Sequence, residues 1–172
     1  YRFNEVTMPN TPKKNYCFHV SLLADKRKNV ERLMLSAKKY GFKLKLAGKL
    51  RNDSERLWLE KRISGCNNIE YLGFLSDEDL IKHYKEAKVF ALPSLYEGVG
   101  LVALEAAISG CKIVITNQGG PKEYYNGLAK VVNPRSIDEI GKAITEALNE
   151  PEDNKLYSYI AAVSYTHLTL PT

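Results

Sequence analysis

The strongest constraint on the fold is an alternation, held from residue 15 to residue 150, between short apolar runs and segments whose apolar residues recur at helical spacing. "NYCFHVSLL" (15–23), "FKLKLAG" (42–48), "NIEYLGF" (68–74), "VFALPS" (89–94), "KIVIT" (112–116) and "AKVVN" (129–133) read as strands. "VFALPS" is apolar almost throughout and is stopped by Pro93, which suits a strand covered on both faces, as in a parallel sheet. Between the strands, Val30, Leu33, Met34 and Ala37 keep the i, i+3, i+4, i+7 spacing of a helix face, with Gly41 placed to cap it. A second helix is predicted from near Ser54 to Ser64, ending at Gly65. "SDEDLIKHYKEA" puts Ser76 at an N-cap, with acidic residues in the first turn opposing the helix dipole. "LVALEAAISG" is a further helix, "PKEYYNG" a short helix or turn, and "SIDEIGKAITEALNE" a helix with Ile137, Ile140, Ile144 and Leu148 on one face. This order predicts an α/β fold with a doubly wound parallel sheet, Rossmann-like, whose ligands sit in the loops at the carboxyl ends of the strands. Those loops are residues 25–29, 48–53, 73–76, 94–100 and 117–121.

A chain of 172 residues fits one well-buried domain. The domain is expected over residues 15–160, with 1–14 as an interdomain linker or edge segment. The last twelve residues, "AAVSYTHLTLPT" (161–172), read as a non-native or disordered tail and carry no functional reading. No apolar run approaches the roughly 20 residues of a membrane span, and the first residues lack a signal-peptide core, so a cytoplasmic location is expected. Residues 1–62 carry 16 Lys/Arg against 6 Asp/Glu, whereas residues 63–172 carry 9 against 14. Such a basic half can attract phosphates or the cytoplasmic face of an anionic membrane, so peripheral membrane association is an option. Nucleic acid is not expected as a partner, because no zinc-finger, helix-turn-helix or RNA-binding pattern accompanies the charge. Cys17, Cys66 and Cys111 are odd in number and widely spaced, which suggests neither a disulfide framework nor a zinc site.

The chemistry concentrates in "SLYEGVGLVALEA" (94–106). Gly98 and Gly100 stand between a strand end and a helix start, where lack of a Cβ lets backbone N–H groups approach a ligand. Those amides and the positive end of the helix dipole suit a phosphate or diphosphate. A carboxylate is a poor phosphate ligand, so Glu97 and Glu105 need another task, and hydroxyls are the natural one. The two glutamates are about two turns, on the order of 10 Å, apart along a helix. A nucleotide-diphosphate sugar has that layout: ribose hydroxyls, diphosphate, then sugar hydroxyls.

The spacing Glu97-x7-Glu105 within "LPSLYEGVGLVALEAAISGCKIVITNQGGPKEYY" resembles the signature of the C-terminal, sugar-donor-binding domain of group 1 glycosyltransferases, family 4, of the GT-B fold. The resemblance runs from about Tyr16 to Leu148 and includes "KN" (28–29), "LGFLSDEDLIKHYKEA" (72–87) and Gly119, Gly120 and Glu123 of "GGPKE". It implies that Glu97 contacts hydroxyls of the transferred sugar and Glu105 those of the ribose. It also implies that the backbone of Gly98, Val99, Gly100 and Leu101 holds the diphosphate and sugar, that Lys28 neutralises the diphosphate, and that Leu75 meets the base through its main chain. Members retain anomeric configuration and generally need no divalent metal, so no cofactor beyond a UDP- or GDP-linked sugar is implied. The acceptor would be a sugar, glycan or lipid-linked molecule, bound with an N-terminal acceptor domain of comparable length that this sequence does not include.

One departure from the pattern stands out. Many members carry Gly-Arg at the end of the first strand, with the arginine on the diphosphate; the matching residues here are Leu22 and Leu23, and Arg27 is the candidate to compensate. "DED" (77–79) has the DxD spacing of a manganese site but fits helix capping better. His19, His83 and His167 are scattered, and His19 is expected to serve packing rather than the cleft. The alternatives to an enzyme half are a non-catalytic nucleotide-sugar-binding or regulatory module and a sugar-nucleotide epimerase of the GT-B type.

Overall fold

The computed structural model describes residues 11–169, with the side chains of 164–169 left aside. It contains β1 (Lys14–Val20), β2 (Leu44–Ala47), β3 (Ile69–Tyr71), β4 (Ala87–Leu92), β5 (Lys112–Thr116) and β6 (Lys130–Val132). The helices are α1 (Val30–Tyr40), α2 (Asp53–Ile63), α3 (Asp77–Glu86), α4 (Leu101–Ile108), α5 (Ile137–Asn149) and α6 (Lys155–Thr169). The six strands form one parallel sheet in the order β3-β2-β1-β4-β5-β6. The chain winds outward from β1 to β3, crosses back to lay β4 beside β1, and winds outward again. This is the doubly wound fold expected, and its direction reverses between β1 and β4, where such sheets open a crevice.

The apolar strands are explained by two cores. In β4, Val89 and Ala91 point into one core with Leu33, Met34, Leu59, Ile140 and Ile144 of α1, α2 and α5. Phe90 and Leu92 point into the other, with Leu80, Tyr84, Leu104 and Ile160 of α3, α4 and α6. Every second residue therefore faces a helix layer, and burying each large side chain contributes roughly 1.5–3 kcal/mol. Helix starts follow the sequence signals. Ser76 Oγ accepts from Asp79 N–H at 3.2 Å, Ser136 Oγ from Glu139 N–H at 3.1 Å, and Asn52 Oδ1 from Glu55 N–H at 2.9 Å.

Three boundaries differ from the sequence reading. β1 stops at Val20, because Leu23 turns into the core beneath α1 while Leu22 stays exposed in the loop. β3 keeps only three residues, and Gly73 beyond it adopts a left-handed φ of 82°, which a strand cannot use. Helix α6 continues to Thr169 instead of giving way to a β-prone tail after residue 160. Leu156 and Ile160, one turn apart, anchor it in the core, and propagation outweighs the weak β preference of threonine. Residues 1–10 of the expected linker and 170–172 of the expected tail lie outside the described residues, and Lys14 already belongs to β1.

Candidate functional site

The site forms where the loops after β1, β4 and β5 meet. Pro93 ends the β4 ladder, and its carbonyl accepts from Asn29 Nδ2 at 2.8 Å; the same amide donates to Pro134 O at 2.6 Å. Leu95 N–H donates to Arg27 O at 2.9 Å, which fastens the β4 loop to the 3-10 turn Lys26–Lys28. On this frame the Lys28 ammonium lies 2.8 Å from Glu97 Oε1, and that oxygen also accepts from Ser94 Oγ at 2.7 Å. The β5 loop closes the third side. Glu97 N–H donates to Gln118 O and Gly120 N–H to Glu97 O, each at 3.3 Å, with a bridge between Glu97 and Gly119.

The glycines here have separate tasks. Gly119 sits at φ 94°, and a Cβ there would lie 1.9 Å from Glu97 O, so only glycine lets the two loops approach. Gly100, at φ 69°, is the N-cap of α4. A Cβ on Gly98 would meet nothing within 4 Å, so that face is open. The N–H groups of Gly98, Val99 and Gly100 find no acceptor among the described residues. They stand at the positive end of α4, beside the Lys28 ammonium, an arrangement suited to an anion.

The model of the family described as "Glycosyl transferases group 1" matches residues 6–163. The chain belongs to this family. It is 30% identical over 144 residues to an O-antigen chain mannosyltransferase B of Escherichia coli, covering 80% of this chain and 38% of that protein. It is 32% identical over 92 residues to a GDP-mannose-dependent mannosyltransferase of Mycobacterium tuberculosis acting on a phosphatidylinositol monomannoside, covering 48% of this chain and 24% of that one. Among solved structures, sucrose-phosphate synthase from Thermosynechococcus elongatus aligns with a TM-score of 0.74 at 21% identity, covering 92% of this chain and 46% of that one. Anabaena HepE in complex with UDP also aligns at 0.74, with 18% identity, covering 90% and 44%. The group 1 domain described here therefore spans less than half the length of each of these proteins. No helix among the described residues is long and apolar enough to cross a membrane.

The remaining expected site residues of this group 1 domain fall into two sets. Glu97, Lys28, Gly98, Val99 and Gly100 converge as described, with Leu101 exposed at the start of α4. Lys28 lies in the 3-10 turn just before Asn29, the N-cap of α1. Glu105 is set apart from Glu97. It is buried as the fifth residue of α4, and its Oε2 accepts from Tyr84 Oη at 3.3 Å, so α3 supplies a protein partner for the carboxylate. Leu75 is half-buried against the α3–α4 core, next to exposed Phe74. Arg27 projects outward with its guanidinium on Asp25, at 2.7 Å from Oδ2, which pulls the Asp25 pKa down to about 2. Leu23, which matches the common arginine, has its side chain in the core, and Leu22 faces solvent.

Sequence reasoning missed two members of the frame. Ser94 was signalled by S-x-x-E spacing to Glu97, the pattern of a capping box. His19 is fully buried, as a packing residue would be, yet both ring nitrogens are engaged: Nδ1 is 2.8 Å from Ala91 O and Nε2 is 2.7 Å from Ser21 Oγ. A carbonyl only accepts, so Nδ1 carries the proton and Nε2 accepts from the serine. Burial lowers the His19 pKa to about 4. Residues 77–79 cap α3 through Ser76, and no group of three or more metal-ligating side chains gathers among the described residues.

Proposed function

We propose that this domain binds the nucleotide-diphosphate sugar, UDP- or GDP-linked, of a retaining glycosyltransferase. The observation that carries the reading is the Lys28–Glu97 junction beside three unpaired backbone N–H groups at the start of α4, at the reversal point of the sheet. In this reading Lys28 and the amides of residues 98–100 take the diphosphate, and Glu97 accepts hydroxyls of the sugar. Glu105, reached from the α3–α4 side with Leu75, accepts ribose hydroxyls by exchanging or sharing its Tyr84 contact. The group 1 relatives support this ligand class, since one depends by name on GDP-mannose and one fold neighbour holds UDP.

The chemistry follows from charge. As the sugar–oxygen bond breaks, negative charge grows on the leaving diphosphate, and Lys28 with the helix terminus stabilises it where it forms. No protein nucleophile and no divalent metal are needed for that step. The acceptor, a sugar, glycan or lipid-linked molecule, would be held by a second half outside this chain, and positioning it supplies a large part of the rate. The isolated domain is therefore expected to bind its ligand and turn over little.

Calorimetric titration of UDP-, GDP- and ADP-sugars tests the reading, and a folded sample that binds none of them sinks it. Glu105→Ala should weaken the bare nucleoside diphosphate about tenfold, the loss of one charged hydrogen bond. Glu97→Ala should weaken only the sugar-bearing ligand. Equal losses on both ligands would refute the division between the two glutamates.

A further inference from the structure

The Tyr125 hydroxyl is buried and has no hydrogen-bond partner among the described residues. Every other buried side-chain polar atom described is paired, so this exception asks for a reason. Tyr125 is 1% exposed and packs in the core with Leu92, Ala103 and Leu104, where phenylalanine would fill the same space without an orphaned O–H. It follows the 3-10 turn Pro121–Tyr124, and the start of that turn is bolted to Glu97 through Gly120 N–H. Burial raises the phenol pKa and the Glu97 carboxylate adds to the rise, so the hydroxyl stays protonated and able to donate. Glu97 in turn uses one oxygen twice, for Lys28 and Ser94, while Oε2 makes no hydrogen bond among the described residues.

We propose that Tyr125 is a positioning residue of this site: its hydroxyl is the reserve partner of the Glu97 carboxylate and donates to it when an anionic diphosphate draws the Lys28 ammonium away. The proposal rests on the reading of the site as one for a nucleotide-diphosphate sugar. A single ammonium cannot keep its full bond to a carboxylate while answering a diphosphate. Glu97, with its side chain only about a tenth exposed, would then be a largely desolvated charge held by Ser94 alone among the described residues. Donation from Tyr125 keeps it ionised and aimed at the sugar.

Tyr125→Phe tests this in two arms. In the first, without ligand, urea unfolding of the 172-residue chain should show the substitution neutral or stabilising, since it removes an orphan. In a Lys28→Met background, where Glu97 has already lost its cation, the same substitution should be destabilising. Equal effects in both backgrounds would overturn the proposal. In the second arm, calorimetry should show about a tenfold loss for Tyr125→Phe both on the sugar nucleotide that the wild type binds and on the matching nucleoside diphosphate, since both carry the diphosphate that draws Lys28 away. Unchanged affinity for both ligands would leave Tyr125 a packing residue. If the wild type binds no sugar nucleotide, the reading of the site falls, and the ligand-free cycle still decides Tyr125.

Discussion

His19 shows how a residue can hold a site together without touching a ligand. Its ring bridges Ala91 O on β4 and Ser21 Oγ at the end of β1, the two strands between which the crevice opens. Because it is neutral in the fold, with a pKa near 4, and titrates near 6.5 in the unfolded chain, the unfolded state binds more protons between those values. Stability is then complete above pH 6.5 and falls as the pH drops toward 4, by roughly 3 kcal/mol at about 1.36 kcal/mol per pKa unit. Urea unfolding at pH 7.5, 6 and 4.5 should show that loss, and His19→Gln should remove most of it; the same slope in both proteins would assign the effect elsewhere. His83, whose pKa burial also lowers, adds a smaller loss of the same sign that persists in the variant. Glu97 was legible from its spacing to Glu105 across the two glycines, whereas Lys28 was legible only through the family resemblance. The sequence made His19 legible only as a buried residue, since the carbonyl that fixes its ring, Ala91 O, lies on a strand 72 positions away.

Among the elements, the loops after β4 and β5 behave as one unit. The Glu97 carbonyl that Gly120 grips is the atom a Cβ on Gly119 would strike, so it cannot swing aside without losing that bond. Gly119→Ala should therefore cost roughly 2–4 kcal/mol, from the left-handed φ and the collision together. Gly98→Ala, whose Cβ enters open space, should change stability by less than about 1 kcal/mol and yet weaken the sugar nucleotide, because that space is where the ligand would lie. Chemical denaturation and calorimetry on the two variants separate the cases, and similar stabilities for both would contradict the geometry. In the sequence these glycines look alike, as parts of "EGVG" and "QGGP". The strands were legible because both faces of β4 and β5 are apolar. Their ends were not, because a loop residue such as Leu23 can continue the apolar run while leaving the ladder.

At the scale of the molecule, the exposed apolar surface is placed unevenly. Of the ten large hydrophobic residues exposed among those described, Leu22, Phe74, Tyr96, Val99 and Tyr124 lie in the connections that follow β1, β3, β4 and β5, and Leu101 opens α4, so all six lie at the carboxyl-end rim of the sheet. Burial inside this domain does not account for these side chains, and exposed apolar residues gathered at one end of a sheet suit contact with another surface. The resemblance implies an opposing α/β half, and the E. coli relative is more than twice as long as this chain's share of it. Tyr96 and Tyr124 should then react readily with a tyrosine-directed acylating reagent in the 172-residue chain. In a longer polypeptide carrying the acceptor half they should be protected, more so with a sugar nucleotide bound. Tyr96→Asp with Tyr124→Asp should leave the unfolding free energy of the short chain within about 0.5 kcal/mol, since neither side chain is buried in it. In the longer enzyme the same pair should lower turnover, because the rim would no longer close on its counterpart. Equal reactivity of both tyrosines in the short and long proteins would mean that the rim faces solvent in the whole enzyme and that closure uses another surface.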